Sequence, residues 1–174
     1  MPNKIKKIVK TRIGVISDTH IPRHAENLPK DLLEELSKTA FIIHAGDFEN
    51  LSALKELQKV NRVIAVNGNM DPKDVKDQLK HKEIINVDHH KIGVIHGWGD
   101  PHRLPQTVLQ EFKSDGVDCI VFGHSHQAHN EVINGILLFN PGSPTDTVFA
   151  HFKSYGILET SPEGIKGEII QLGE

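Results

Sequence analysis

Five short apolar runs in this chain, at 13–16, 41–43, 63–66, 92–95 and 119–122, each stop at residues of the kind that ligate metals. The stops are Ser17-Asp18-Thr19-His20, Gly46-Asp47, Gly68-Asn69, His96-Gly97 and Gly123-His124-Ser125-His126. They recur at even intervals: 29 residues from Asp18 to Asp47, 22 to Asn69, 27 to His96 and 28 to His124. Runs this short and this uniformly apolar read as strands buried on both faces. Each interval is about one strand–helix unit. In open α/β sheets, sites gather at the carboxyl ends of strands. The spacing therefore lets five distant segments meet on one rim.

The segments between the stops fit that plan. The pattern predicts a strand over 12–17, a helix over 28–38 with Leu32, Leu33 and Leu36 on one face, and a strand over 41–44. A helix over 51–59 and a strand over 60–66 complete a βαβαβ unit, which implies parallel strands. Residues 71–80 read as a loop with a helical turn. Two strands are expected within 82–94 around Asp88-His89-His90-Lys91, a helix over 104–113, and a strand over 119–122. Asn134-Gly135 marks a hairpin between 131–133 and 136–139. The tail, 148–172, reads as further strand-like pieces around Ser161-Pro162-Glu163-Gly164. The fold class is α/β (α+β): two sheets packed together with helices outside.

Bulk properties limit the function classes. At 174 residues the chain reads as one domain, 1–174, with residues 1–10 a basic lead-in that carries Lys4, Lys6, Lys7 and Lys10. No run approaches the ~20 apolar residues of a membrane span, and the first apolar run is too short for a secretory signal. A net charge of −3 offers no field for a polyanion, so no stable nucleic-acid complex is expected. The single cysteine, Cys119, lies in an apolar run and reads as a small buried hydrophobe in a reducing cytoplasm. Twelve histidines are many for this length, and they are the one compositional hint of metal.

Asp18 and His20 are two residues apart, and in extended chain both would point the same way towards one ion. His124 and His126 repeat the pattern. With Asp47, Asn69 and His96 at the ends of other runs, the set offers two carboxylates, one amide and four imidazoles. Imidazole with carboxylate suits Zn, Fe, Ni, Co or Mn, and all-oxygen Ca or Mg sites do not use four histidines. Asp47, alone on its turn, is the candidate to bridge two ions. Two ions ~3.5–4 Å apart can clamp both the attacking and leaving oxygens of a displacement.

Asp18-x-His20, Gly46-Asp47, Gly68-Asn69-x-Asp71, His96-Gly97 and Gly123-His124-x-His126 resemble the five motifs of the calcineurin-like metallophosphoesterases. With Asn140-Pro141-Gly142-Ser143, they resemble the compact YfcE-like phosphodiesterase branch, to which the Vps29 scaffold is related. The resemblance spans about 12 to 144. It implies a four-layer sandwich of two mixed β-sheets flanked by helices. It implies one ion held by Asp18, His20, Asp47 and His126, and a second by Asp47, Asn69, His96 and His124. The activity implied is hydrolysis of small phosphodiesters by attack of metal-bound hydroxide on phosphorus, with Asp47, Asn69 and His96 central. The alternative is a Vps29-like non-catalytic scaffold that binds metal and protein partners. A homodimer is compatible with the resemblance.

The chain departs from the wider family at Met70, where larger relatives carry a histidine thought to assist the leaving group. Methionine can neither donate a proton nor carry charge. Asp71, His24 and His102 are the candidate substitutes. Elsewhere, His44 reads as a buried packing histidine, His89 and His90 as solvated turn residues, and Arg23 as a surface residue within reach of a phosphate. Trp98 fits a pocket wall and a core cap equally well.

Overall fold

The computed structural model describes residues 10–173. The basic lead-in, Lys10 apart, lies outside them. The elements are β1 (Thr11–Ile16), α1 (Lys30–Ser37), β2 (Ile42–His44), α2 (Leu51–Val60), β3 (Val63–Ala65), α3 (Lys73–Gln78), β4 (Lys82–Val87) and β5 (His90–Ile95). A 3₁₀ turn (Pro101–Arg103), α4 (Leu104–Glu111), β6 (Cys119–Val121), β7 (His129–Ile133), β8 (Ile136–Asn140), β9 (Ser154–Ser161) and β10 (Gly164–Gln171) follow.

Among the described residues, ten strands form two mixed five-stranded sheets, ordered β10-β9-β1-β2-β3 and β4-β5-β6-β8-β7. β1, β2 and β3 run parallel, as do β5, β6 and β8. The carboxyl ends of the donor-bearing strands therefore lie along one edge of each sheet.

Alternation along each strand explains why the runs are apolar throughout. Ile13, Val15 and Ile43 point into a core between the sheets, where they meet Ile92, Val94, Cys119 and Val121. Ile16 and Ile42 point the other way, onto Leu32 and Leu36 of α1 and Leu57 of α2. In the second sheet Ile120 and Leu138 turn outwards to Leu104, Val108 and Phe112. Both faces of both sheets are covered, giving helix, sheet, sheet, helix. α2 begins at Asn50, whose side chain accepts from the Ser52 N–H at 2.6 Å and fixes its start. No described helix is long and apolar enough to cross a membrane.

Three local expectations fail. The third strand does not open at Val60, which closes α2, but runs only over Val63–Ala65. The tail forms no strand before Ser154, because the Asp146 carboxylate accepts from the N–H groups of Val148, Phe149 and Ala150 and winds 146–150 into a turn. His90 is not a solvated turn residue. It opens β5, and its Nε2 lies 2.7 Å from the Ser161 carbonyl.

One ring joins the sheets. Phe139 of β8, fully buried, fills the space that Gly156 of β9 and Gly167 of β10 leave by lacking side chains; a Cβ at either would strike the ring. Phe139→Ala is expected to cost about 3–5 kcal/mol through the cavity it leaves, and Gly156→Ala about 1–3 kcal/mol through overpacking. Denaturant unfolding of the double variant should show less than the sum of the two, because the cavity admits the added methyl. Additive losses would show that the ring and glycine are not matched.

Candidate metal centre

The donors stand on backbone that ordinary strands and helices do not use. Asp18, His20, Asp47, His124 and His126 all have positive φ, between 41° and 70°. For residues with a side chain this conformation costs of order 1–3 kcal/mol, and it clusters at functional sites. The extended geometry expected for Asp18-x-His20 and His124-x-His126 is thus replaced by left-handed turns just past the strand ends. The two members of the second pair also diverge. His126 Nε2 lies 3.1 Å from His20 Nε2, whereas His124 Nδ1 lies 3.1 Å from Asn69 Oδ1.

Glycines let these turns approach one another. A Cβ at Gly68 would overlap Asp47 Oδ1, and one at Gly123 would overlap Ser17 Oγ. This is the physical content of the Gly-Asn and Gly-His pairs in the sequence.

Each carboxylate is anchored by one oxygen and presents the other. Asp18 Oδ2 accepts from Ser17 Oγ at 2.7 Å and from the His124 N–H at 3.1 Å, an N–H that also reaches Oδ1 at 3.2 Å. Its Oδ1 faces the Nε2 atoms of His126 (3.5 Å), His96 (3.8 Å) and His20 (3.9 Å). Asp47 Oδ1 accepts from the Met70 N–H at 2.8 Å, and its Oδ2 lies between His96 Nε2 (3.2 Å) and His20 Nε2 (3.6 Å).

The imidazoles are anchored in the same way. His20 Nδ1 donates to Glu49 (2.7 Å), His126 Nδ1 to Asp146 (2.6 Å) and His96 Nδ1 to the Ala45 carbonyl (2.7 Å). These acceptors hold no proton to give, so the N–H is on the Nδ1 side and each Nε2 turns a lone pair inwards. His124 is reversed: its Nε2 donates to the Gly99 carbonyl at 3.0 Å, which leaves Nδ1 facing Asn69. The contacts between His20 and His126 and between His124 and Asn69 then bring acceptor against acceptor. Buried His96 Nε2 has no hydrogen-bond partner.

Such an arrangement needs positive charge. Burial disfavours the charged form of His96, yet Asp18 and Asp47 beside it push its pKa up to about 9. Burial also works against the Asp47 anion, but His96, the Met70 N–H and His20 hold it below the usual carboxylate range. A cation can take the place of that proton. Asp18, His20 and His126 form one group with ligand atoms mutually within 4.8 Å, and Asp18, Asp47 and His96 form another. The donor set fits borderline transition ions.

The three candidate substitutes for the missing histidine separate. Asp71 is buried, and its carboxylate accepts from four N–H groups: Asp47 (3.0 Å), Phe48 (2.6 Å), Glu49 (2.9 Å) and Gly68 (2.7 Å). Burial raises its pKa against those bonds, but every oxygen is committed to holding the Asp47 turn, so it is no proton donor. His102 is exposed and does not line the cleft over the donors. His24 does line it, 4.7 Å from the His20 ring; burial and His20 lower its pKa and leave it uncharged at neutral pH. The cleft, about 400 Å³, also includes Arg23, Met70 and Phe149. Arg23 is tied to Glu49 at 3.1 Å.

His44 is the packing residue expected. It is fully buried, its ring stacks on Phe48 at 3.6 Å, it accepts from the Gly46 N–H, and burial holds it neutral. Glu49 and Asp146 were not singled out from the sequence. Their one sequence signal is an acidic residue shortly after the Gly-Asp and Asn-Pro-Gly-Ser turns.

A family model described as the calcineurin-like phosphoesterase superfamily domain matches residues 11–163. A probable metallophosphoesterase of Methanocaldococcus jannaschii is 43% identical over 136 residues, 76% of this chain and 68% of that protein. A protein of the same archaeon named a phosphodiesterase is 29% identical over 92% of this chain and 99% of its own. The structure of Vacuolar Protein Sorting 29 from Cryptosporidium parvum superposes with a TM-score of 0.75 at 19% identity, covering 95% of this chain and 99% of that one, which is a likeness of fold.

Because Asp146 orients His126, Asp146→Asn should weaken Mn²⁺ binding about 10–100-fold in calorimetric titration while the fold persists. Unchanged affinity would remove Asp146 from the centre. Asp71→Ala strips the acceptor from four N–H groups and should lower stability by at least about 2–3 kcal/mol, measured by denaturant unfolding.

Proposed function

This chain belongs to the calcineurin-like phosphoesterase superfamily, and from that premise we propose that it is a phosphodiesterase working with two divalent ions. Asp18, His20, Asp47 and His126 would hold one ion. Asp47, Asn69, His96 and His124 would hold the other, with Asp47 shared. The observation that carries this reading is the inward set of seven donors, six of which, the two carboxylates and four imidazoles, have their outer atoms already engaged. Mn, Ni, Fe, Zn or Co suits the mixture of imidazole and carboxylate. Ions bound there supply an activated water near neutral pH and neutralise charge on the phosphoryl oxygens.

The chain's own part is to hold and orient. Asp18 and Asp47 each keep one oxygen fixed to the backbone and the other aimed inwards. Glu49, Asp146 and the Ala45 carbonyl fix the imidazoles, so little reorganisation is needed when charge develops. Diesters are favoured over monoesters by Met70, which is 45% exposed and lines the cleft with no proton to offer a leaving group and no charge for a dianion. With Asp71 engaged and His24 uncharged, substrates with good leaving groups are favoured. The relative named a phosphodiesterase supports the same preference.

A Vps29-like scaffold is the second reading, favoured by the shared fold and by exposed Val148 and Phe149 near the cleft. A scaffold has no need of the complete donor set, and on that ground the enzyme is preferred.

After chelation, bis(p-nitrophenyl) phosphate should be hydrolysed once Mn²⁺ or Ni²⁺ is restored. Asp47→Asn should lower kcat/KM by roughly 10²-fold or more. A metal-loaded protein that cleaves no phosphoester would favour the scaffold. Met70→His should raise activity on p-nitrophenyl phosphate relative to the diester; an unchanged ratio would refute the part given to Met70.

A further inference from the structure

The cleft shares Asn69 with a second cavity of about 320 Å³, whose wall includes His96, Lys76, His81 and Trp98. Two of these, Asn69 and His96, belong to the donor set. A phosphate at the centre could thus extend one ester arm into this cavity without leaving the protein surface. The volume lies within the range of small-molecule sites.

Its lining has an unusual composition. His96 is 1% exposed, yet Trp98, two residues on, is 40% exposed. Its ring centroid is 5.7 Å from that of His81 with the planes tilted by 34°, so no tight stack covers the indole. A large aromatic left open beside a buried polar centre is a platform for another ring. Lys76 adds a polar handle. Its ammonium donates to the Asn69 backbone carbonyl at 3.0 Å, which holds the charge beside the cavity and leaves two N–H groups for a ligand. Planar apolar face and cationic donor together match a base with an edge of ring nitrogens and carbonyl oxygens.

We propose that this cavity binds a nucleobase, stacked on Trp98 and hydrogen-bonded by Lys76, as one arm of a nucleoside phosphodiester. The proposal rests on the phosphodiesterase reading and narrows its substrate class. The 400 Å³ cleft beside Met70 and Phe149 is left to the other ester group.

The chain has a single tryptophan, so emission excited at the red edge of the indole band reports on Trp98 alone. AMP and ribose 5-phosphate, which share a phosphate and a sugar but not a base, are titrated into Mn²⁺-loaded protein. AMP should quench the emission saturably and bind about tenfold more tightly than ribose 5-phosphate, as expected for one stacked base. Ribose 5-phosphate should bind with little change in emission. By calorimetry, Trp98→Ala should bring the two ligands to similar affinity, and Trp98→Phe should restore part of the difference. Lys76→Ala should weaken AMP more than ribose 5-phosphate. Equal binding of both ligands to the unaltered protein, without quenching, would overturn the nucleobase site and leave the phosphate centre standing. Binding of neither would overturn the nucleobase site, and the phosphodiesterase reading would then stand or fall on hydrolysis of bis(p-nitrophenyl) phosphate by the same Mn²⁺-loaded protein.

Discussion

Crowded lone pairs are the constraint on which this molecule is organised. Two buried carboxylates and four imidazoles turn their acceptor atoms towards one small volume, and the atoms that might have relieved them are already bonded outwards. In a low-dielectric interior such a cluster is costly unless positive charge enters it. Asp18 and Asp47 push the pKa of His96 up to about 9 against its burial, which is the same demand for positive charge. The folding energy that tolerates this comes from elsewhere: two sheets covered on both faces, with a ring from one seated against glycines of the other.

The architecture makes the crowding reachable. Parallel strands deliver their carboxyl ends to a common edge, and two stacked sheets bring two such edges together. The residues that follow leave the sheet in left-handed turns, with glycines removing the side chains that would keep the loops apart. Strain, close approach and repulsion are thus concentrated where the strands have ended, and the strand registers are undisturbed.

Much of this was legible in the sequence because it is written as punctuation. Apolar runs ending in Asp18, Asp47, Asn69, His96 and His124 give the strands and the candidate donors from order alone; the burial holds for four of the five, since β3, at the edge of its sheet, is only half-buried. What was not legible depends on distance in space. Asp146 is 20 residues from His126 and Glu49 is 29 from His20, and no local pattern marks either as a hydrogen-bond partner of an imidazole. Asp146 also turns the segment after it away from the strand its apolar residues suggested. The backbone at Asp18 and His20 was misjudged because residue types report preferred conformations, and these residues are held in disfavoured ones. Asp71 could be seen as part of a motif, but its four N–H partners come from two loops that meet only in the folded chain. Trp98 could be weighed only as core or pocket until its exposure and its neighbour His81 were known.

That four-fold acceptor has a broader meaning. Asp71 sits in the loop after β3 and grips the loop after β2, so the Asp47 carboxylate and the Asn69 amide ride on a single brace. The spacing between those two side chains is then a property of the polypeptide itself. Two loops far apart in the sequence thus keep one measured separation, and a donor on either can shift only by carrying the other with it.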